Sequence, residues 1–420
     1  MKKFTLTKLA TVMTVSILAL SACSEQKPIE KKVELKVDSI ENRANKIAKN
    51  VLIIDTHIDV PYRLDHKYED ISEATANGDF DYPRAVKGGL NAPFMSIYIP
   101  SELEQLGGSK ALADKLIDDV EKLVQQSPAK FALAYNTKQV RDNFAKGVMS
   151  LPMGMENGSP IEGDLANLKH FYDRGIRYIT LTHAKANHIS DSSYDSERPA
   201  QGLTDFGKQL IVEMNNMGIM VDISHVSDQA FYHVMEISKV PVIASHSSAR
   251  FFTPGFERNM DDEMIKLLAK NGGVIQMTFS SVFTSKKYRD QSATYDQIEA
   301  QFIADSHLDK NNEVDKTKIE AYEEAYWEKN PYDLGSLDLV VDHFEHVINM
   351  VGIDHVGIGS DFDGVGKTLP PLLKDVSTYP NLVGALLKRG YTEAEIEKLL
   401  SGNLMRVWEQ TEAYAANAKK

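Results

Sequence analysis

Residues 51–60 read Val51-Leu52-Ile53-Ile54-Asp55-Thr56-His57-Ile58-Asp59-Val60, a β-branched apolar run that ends in polar side chains spaced two apart. Side chains alternate along a strand, so His57 and Asp59 share one face at its end. Further short apolar runs follow at residues 92–99, 150–156, 176–183, 219–225, 240–246, 273–279 and 355–361. Amphipathic segments lie between most of them. Leu112, Leu116, Ile117, Val120, Leu123 and Val124 form one apolar stripe, and Phe206, Leu210, Ile211, Met214 and Met217 form a second between a Thr204 cap and Gly218. A third runs from Leu337 to Val351, bounded by Ser336 and Gly352. Strand, helix and strand in regular succession favour parallel pairing with right-handed crossovers, and eight repeats close a barrel. The expected fold is an α/β chain, a (β/α)8 TIM-type barrel over residues 46–415. An open doubly wound sheet competes, but no Gly-x-Gly-x-x-Gly follows the first strand.

Two segments depart from the repeat. Residues 282–335, between the seventh and eighth strands, are rich in Lys, Glu, Asp and Tyr, which predicts a helical insertion over the barrel mouth, either a lid or a solvated decoration. The tail opens on a capping box, Thr392 to Glu395, and its Leu399, Leu400, Met405 and Val407 predict a terminal helix. The chain of 420 residues carries a net charge of −13, which repels phosphate backbones and argues against nucleic-acid partners.

At the N-terminus, Lys2, Lys3 and Lys8 precede an uncharged run from Leu9 to Ala22 that is too short to span a bilayer, so residues 1–22 read as a signal peptide. The run ends in Leu20-Ser21-Ala22-Cys23, with Cys23 the only cysteine, and it resembles the lipobox of bacterial lipoproteins. That resemblance implies lipidation of Cys23 and anchoring to the cell envelope, periplasmic or at the outer surface. Residues 23–45, Lys/Glu-rich and without apolar periodicity, then form a solvated tether.

Chemistry concentrates where the strands end. After His57 and Asp59 come Glu156-Asn157-Gly158 on the third strand, Asp222-Ile223-Ser224-His225 on the fifth, Ser245-His246 on the sixth and Ser360-Asp361-Phe362-Asp363 on the eighth. A parallel barrel gathers the C-terminal ends of its strands on one face, so these distant residues become neighbours. Three imidazoles and two carboxylates could fill the inner shells of two zinc ions, with Glu156 bridging them. A single strand-end histidine is more often a hydrogen-bonded structural residue. It is the joint placement of His57, His225 and His246 that speaks for metal. Asp222, three residues before His225 and on the opposite face, is expected to be structural.

His57-Ile58-Asp59, Glu156-Asn157-Gly158, Thr180-Leu181-Thr182-His183, Asp222 to Ser227, Ser245 to Ala249, Arg258-Asn259 and Ser360 to Gly364 together resemble the signatures of the membrane (renal-type) dipeptidase family, in that family's order. The resemblance implies an amidohydrolase-type barrel with two Zn2+ ions, His57 and Asp59 on one, His225 and His246 on the other, and Glu156 between. It further implies that His183 polarises the substrate, that Arg258 holds the substrate carboxylate, and that Asp361 is the acid/base group.

Physical chemistry supplies a matching route. A water between two zinc ions loses its proton near neutrality, Asp361 takes that proton and passes it to the leaving amine, and a planar guanidinium at Arg258 selects a free C-terminus. The expected activity is hydrolysis of dipeptides, and whether a D-residue is accepted at the C-terminal position is left open by the sequence. Asp363 is expected in a supporting role. Two other readings compete: a binuclear amidohydrolase acting on a lactam or cyclic amide, and a non-catalytic peptide-binding lipoprotein. The sequence leaves homodimerisation open.

Overall fold

The computed structural model describes residues 38–310 and 312–418, so the expected signal peptide, Cys23 and most of the expected tether lie outside the described residues. Eight parallel strands form one sheet: β1 Ile54–Ile58, β2 Ala92–Tyr98, β3 Met153–Glu156, β4 Ile176–Thr180, β5 Met220–Asp222, β6 Ile243–Ser247, β7 Val274–Met277 and β8 Val356–Ile358. Each pairs with the next, and the sheet nearly closes on itself where β1 and β8 run out. There Ile58 bridges Phe362, the Asp59 N–H donates to Phe362 O at 2.9 Å, and the Asp361 N–H donates to His57 O at 3.1 Å. This is the expected barrel, and each strand core falls within or at the edge of an expected run. The third run is split. Pro152 has no N–H to give a ladder, so residues 149–151 pair with Phe131–Leu133 in a small outer sheet and β3 begins at Met153.

The helices form where the apolar stripes predict. Helix Ser109–Gln126 buries Ala113, Leu116, Ile117 and Val120. In helix Asp205–Met217 the Thr204 side chain accepts from the Gly207 N–H, and Gly218 ends the helix at φ +90°, a left-handed angle that other residues resist. Ser336 caps helix Leu337–Val351, whose Val340, Val341, Phe344 and Val347 face the barrel. The Thr392–Glu395 capping box is present, and the terminal helix Asn403–Ala418 closes the barrel floor. Its buried Trp408 lies 5.2 Å from the Phe94 ring, which lies 5.4 Å from the Tyr178 ring higher in the interior.

Two boundaries move. Helix Ile40–Asn50 buries Ala44, Ile47 and Ala48, so residues 40–45 belong to the folded domain and not to the tether. Its stripe is made of two alanines and two isoleucines among seven polar residues, too weak a pattern to read as a core-facing helix. The folded chain also runs on to Ala418. The insertion consists of helices Ser281–Thr284, Lys286–Ser306 and Glu313–Lys329. Stacked rings fasten it, Trp327 against Tyr332 at 3.4 Å and Phe302 against Tyr322 at 3.8 Å. Among the described residues, no helix is long and apolar enough to cross a membrane.

His343 ties the insertion to the barrel. Buried on helix Leu337–Val351, it accepts from the Ala249 N–H at Nδ1 (3.2 Å) and donates from Nε2 to Thr284 O (3.1 Å), which requires the neutral ring. Burial pushes its pKa down to about 4. A depressed folded-state value means stability that is complete above the unfolded pKa of about 6.5 and lost as pH falls toward 4. Between pH 7 and pH 5 the protein should lose about 2 kcal/mol more stability than its His343→Gln variant. Urea titrations at the two pH values measure this, and equal losses would exclude the assignment.

Candidate active site

The strand ends converge as the topology demands. Strand β2 shows how: alternate residues point inward, so Ala92 and Phe94 pack in the lower barrel, Ser96 donates to Glu156 Oε2 at 3.3 Å, and Tyr98 lines the cavity above. Glu156, at the end of β3, is the centre. Its Oε2 lies 3.2 Å from His57 Nε2, while its Oε1 lies 3.1 Å from His225 Nε2 and 3.3 Å from His246 Nε2. Asp59 Oδ2 is 3.5 Å from His57 Nε2, and the His225 and His246 Nε2 atoms are 2.8 Å apart. All five residues predicted to bind metal thus meet at one end of the barrel, and all are buried.

His183 and Asp361 join them. His183 Nε2 is 3.6 Å from Glu156 Oε1, and its ring stands 4.3 Å from that of His225. The side chain of Asp361 has no hydrogen bond among the described residues. Three groups of donors lie within 4.8 Å of one another: His57, Asp59 and Glu156; Glu156, His183 and His225; and His57, His246 and Asp361. Arg258 is also buried. It donates to His246 O at 2.7 Å, is centred 5.1 Å from the Phe283 ring, and has no carboxylate partner among the described residues. The cavity has a volume of about 550 Å³, with Asp59, Glu156, His183, Tyr98, Tyr194 and Phe283 among its lining.

The donor set fits small divalent cations. Ligands about 2.0–2.1 Å from a tetrahedral ion sit about 3.3 Å from each other. The separations of 3.1 and 3.3 Å from Glu156 Oε1 to His225 and His246, and of 3.2 Å from Oε2 to His57, are of that size. His57 Nε2 and Asp59 Oδ1 are buried without a hydrogen-bond partner, which is costly unless a ligand takes them up. Charge agrees with this. Burial opposes ionisation of Glu156, but the surrounding imidazoles outweigh it and hold its carboxyl well below the usual range. Burial, with Arg258 and neighbouring imidazoles adding to it, drives His225 and His246 well below theirs, leaving neutral rings with lone pairs to give. Burial beside Asp59 and Glu156 raises Asp361 to about 8. Nearby cations would return it toward the carboxylate.

Supporting groups fix the ring orientations. Tyr178 donates to Thr56 O at 3.0 Å and so accepts from His57 Nδ1–H at 2.8 Å, turning Nε2 toward Glu156. Ser245 donates to Asp222 Oδ2 at 2.6 Å and accepts from His246 Nδ1–H at 2.8 Å. Asp222 is therefore structural, as expected, and supports a histidine through the serine. Asp363 faces Arg63 Nε at 3.0 Å and accepts from the Asp79 N–H at 2.5 Å, pinning the β1 and β8 loops together. A Cβ on Gly364 would lie 2.2 Å from Asp59 Oδ2, so only glycine lets that loop approach. His225, Asp361 and Asp363 adopt left-handed backbone angles, strain of the kind that clusters at functional sites.

The roles of Tyr178 and Ser245 were missed in the sequence. The available signal was period two: Tyr178 and Thr180 are polar side chains two apart, on one face of a buried strand. Tyr178→Phe keeps the ring packed but removes the bond to His57, so metal affinity should fall about 10–100-fold. Competition against a chromophoric zinc chelator measures it; unchanged affinity would show that His57 needs no such partner.

Comparison with known proteins agrees with the geometry. The sequence pattern described as membrane dipeptidase, peptidase family M19, matches residues 41–420. A probable dipeptidase of Pseudomonas aeruginosa, PvdM, is similar over 90% of this chain and 99% of its own, at 25% identity and a TM-score of 0.77. A metallopeptidase of Rhodobacter sphaeroides, solved with a phosphinate mimic of the dipeptide L-Ala-D-Ala, shares the fold at 24% identity and a TM-score of 0.69, over 86% of this chain and 99% of that one. A third structure, a metallopeptidase titled dipeptidase AC, shares it at 24% identity and a TM-score of 0.70, over 86% and 98%. With the match spanning the whole barrel and its donor-lined mouth, the chain belongs to the membrane dipeptidase family and is a hydrolase of peptide bonds.

Proposed function

We propose that this chain is a dinuclear zinc dipeptidase. One observation carries the reading: the two oxygens of Glu156 face two separate sets of nitrogen donors, His57 on one side, His225 and His246 on the other. In this reading His57 and Asp59 hold one ion, His225 and His246 the other, and Glu156 both. Such a pair of ions, when bound, acidifies a water and polarises a carbonyl.

The chain's own groups do the rest. Arg258 pairs with the C-terminal carboxylate of the substrate through guanidinium N–H groups not engaged with His246 and Ser247. That anchors the peptide and excludes longer chains. His183 directs its Nε2 at the carbonyl oxygen as charge grows there. Asp361, free of side-chain hydrogen bonds, accepts the proton of the attacking water and delivers it to the amide nitrogen, since an amine leaves only when protonated. The Rhodobacter sphaeroides neighbour was solved with an L-Ala-D-Ala mimic, so L,D dipeptides belong among the substrates to test. The proposed location, lipid-anchored at the cell envelope, rests on Leu20-Ser21-Ala22-Cys23 alone.

The test is hydrolysis of a panel of L,L and L,D dipeptides by the purified protein. Turnover should be lost on chelation and restored by two equivalents of zinc per chain. C-terminally amidated peptides should be rejected. Turnover that survives chelation, or binding without cleavage, would contradict the proposal.

A further inference from the structure

The insertion carries one cation, on an aromatic cluster that reaches the cavity wall, that neither the fold nor the reaction requires. Arg289, in the first turn of helix Lys286–Ser306, is half-buried. Its guanidinium carbon sits 3.4 Å from the centroid of the Phe256 ring. It has no hydrogen bond or ion pair from its side chain among the described residues. The adjacent acid does not neutralise it, because Asp290 pairs with Lys286. In a chain of net charge −13 such an isolated guanidinium is unexpected, and burial pushes it below its ordinary range.

Its position is defined by three rings. Phe256 packs against Tyr194 at 6.0 Å and stacks on Phe283 at 6.1 Å. Tyr194 and Phe283 line the cavity, and Tyr194 stands 5.8 Å from His225. Phe283 carries Arg258 at 5.1 Å. The stacked pair Phe283 and Phe256 therefore carries two guanidiniums, Arg258 on the ring that lines the cavity and Arg289 on the ring behind it. Stacking fixes Arg289 without consuming its donors, which leaves its N–H fork to an anion.

We infer that Arg289 is a specificity residue that binds the side-chain carboxylate of an acidic residue at the C-terminal position of the dipeptide, while Arg258 binds the α-carboxylate of that residue. The inference rests on the dipeptidase reading and adds a substrate class to it: dipeptides ending in Asp or Glu. It assigns to the insertion a function beyond decoration.

The test compares kcat/KM of the zinc-loaded enzyme for Ala-Glu and Ala-Gln, which are nearly isosteric. A charge-assisted pair with Arg289 should favour Ala-Glu by about tenfold or more. In Arg289→Gln that ratio should fall to about one or below, and Arg289→Glu should prefer Ala-Lys to Ala-Glu. Turnover of Ala-Gln reports that each variant is folded and loaded. Equal rates on Ala-Glu and Ala-Gln in the wild type, or a preference that survives both substitutions, would overturn the inference while leaving the dipeptidase reading intact. Failure of the wild type to cleave either peptide would overturn both.

Discussion

Glu156→Gln should reduce dipeptide turnover by at least about 10³-fold, because loss of a mere supporting partner already costs 10–100-fold and Glu156 faces both donor sets at once. The carboxylate sits among four imidazoles, with Oε1 shared by His225, His246 and His183 and Oε2 facing His57. Gln has the same shape but no charge, and its NH2 places donor hydrogens where a lone pair is needed. On the dinuclear reading, one of the two proposed metal positions would then lose its shared anionic ligand. Zinc bound to the purified variant should fall below two equivalents, and the remaining ion should exchange faster. Circular dichroism should show the barrel intact, since the core residues around Met153 and Met155 are unchanged. A variant with full zinc content and near-normal turnover would show that Glu156 is no bridge.

Asp361→Asn separates a proton carrier from a metal ligand. The geometry permits either role, since Asp361 lies within 4.8 Å of His57 and His246 donors. As a carrier it should cost about 10²–10⁴-fold in kcat with zinc content kept and KM changed only slightly, because general acid–base groups contribute that much and bind no ground-state substrate. As a ligand it would cost metal as well. Three local facts favour the carrier. Its carboxyl group lines the cavity without a hydrogen-bond partner among the described residues, its backbone is held at φ +69° by the His57 carbonyl contact, and Gly364 leaves room beside it. Loss of zinc in step with activity would reassign it.

The barrel and the converging donors were legible because each rests on local pattern plus one topological rule. Runs such as 51–60 and 176–183 are apolar and bounded, and parallel closure alone brings His57, Glu156, His225 and His246 to one end. What was not legible depends on contacts across the interior. Nothing in the neighbourhood of Tyr178 announces that its hydroxyl meets His57 Nδ1, 121 positions away, or that Gly154 must lack a Cβ for that ring to lie flat. The expected third run, 150–156, is longer than the strand because it contains Pro152, which has no N–H to give the ladder. Residues 40–45 read as tether because the buried face of helix Ile40–Asn50 is mostly alanine. Arg289 was passed over for a different reason: in a charged helix its isolation is visible only once every carboxylate has been assigned a partner.

The most direct measurement is anomalous diffraction at the zinc edge from crystals of the zinc-loaded protein. Two peaks are expected, roughly 3.5–4 Å apart, each about 2.0–2.2 Å from a different oxygen of Glu156, one beside His57 and Asp59 and the other beside His225 and His246. A single peak, or peaks away from Glu156, would contradict the dinuclear site.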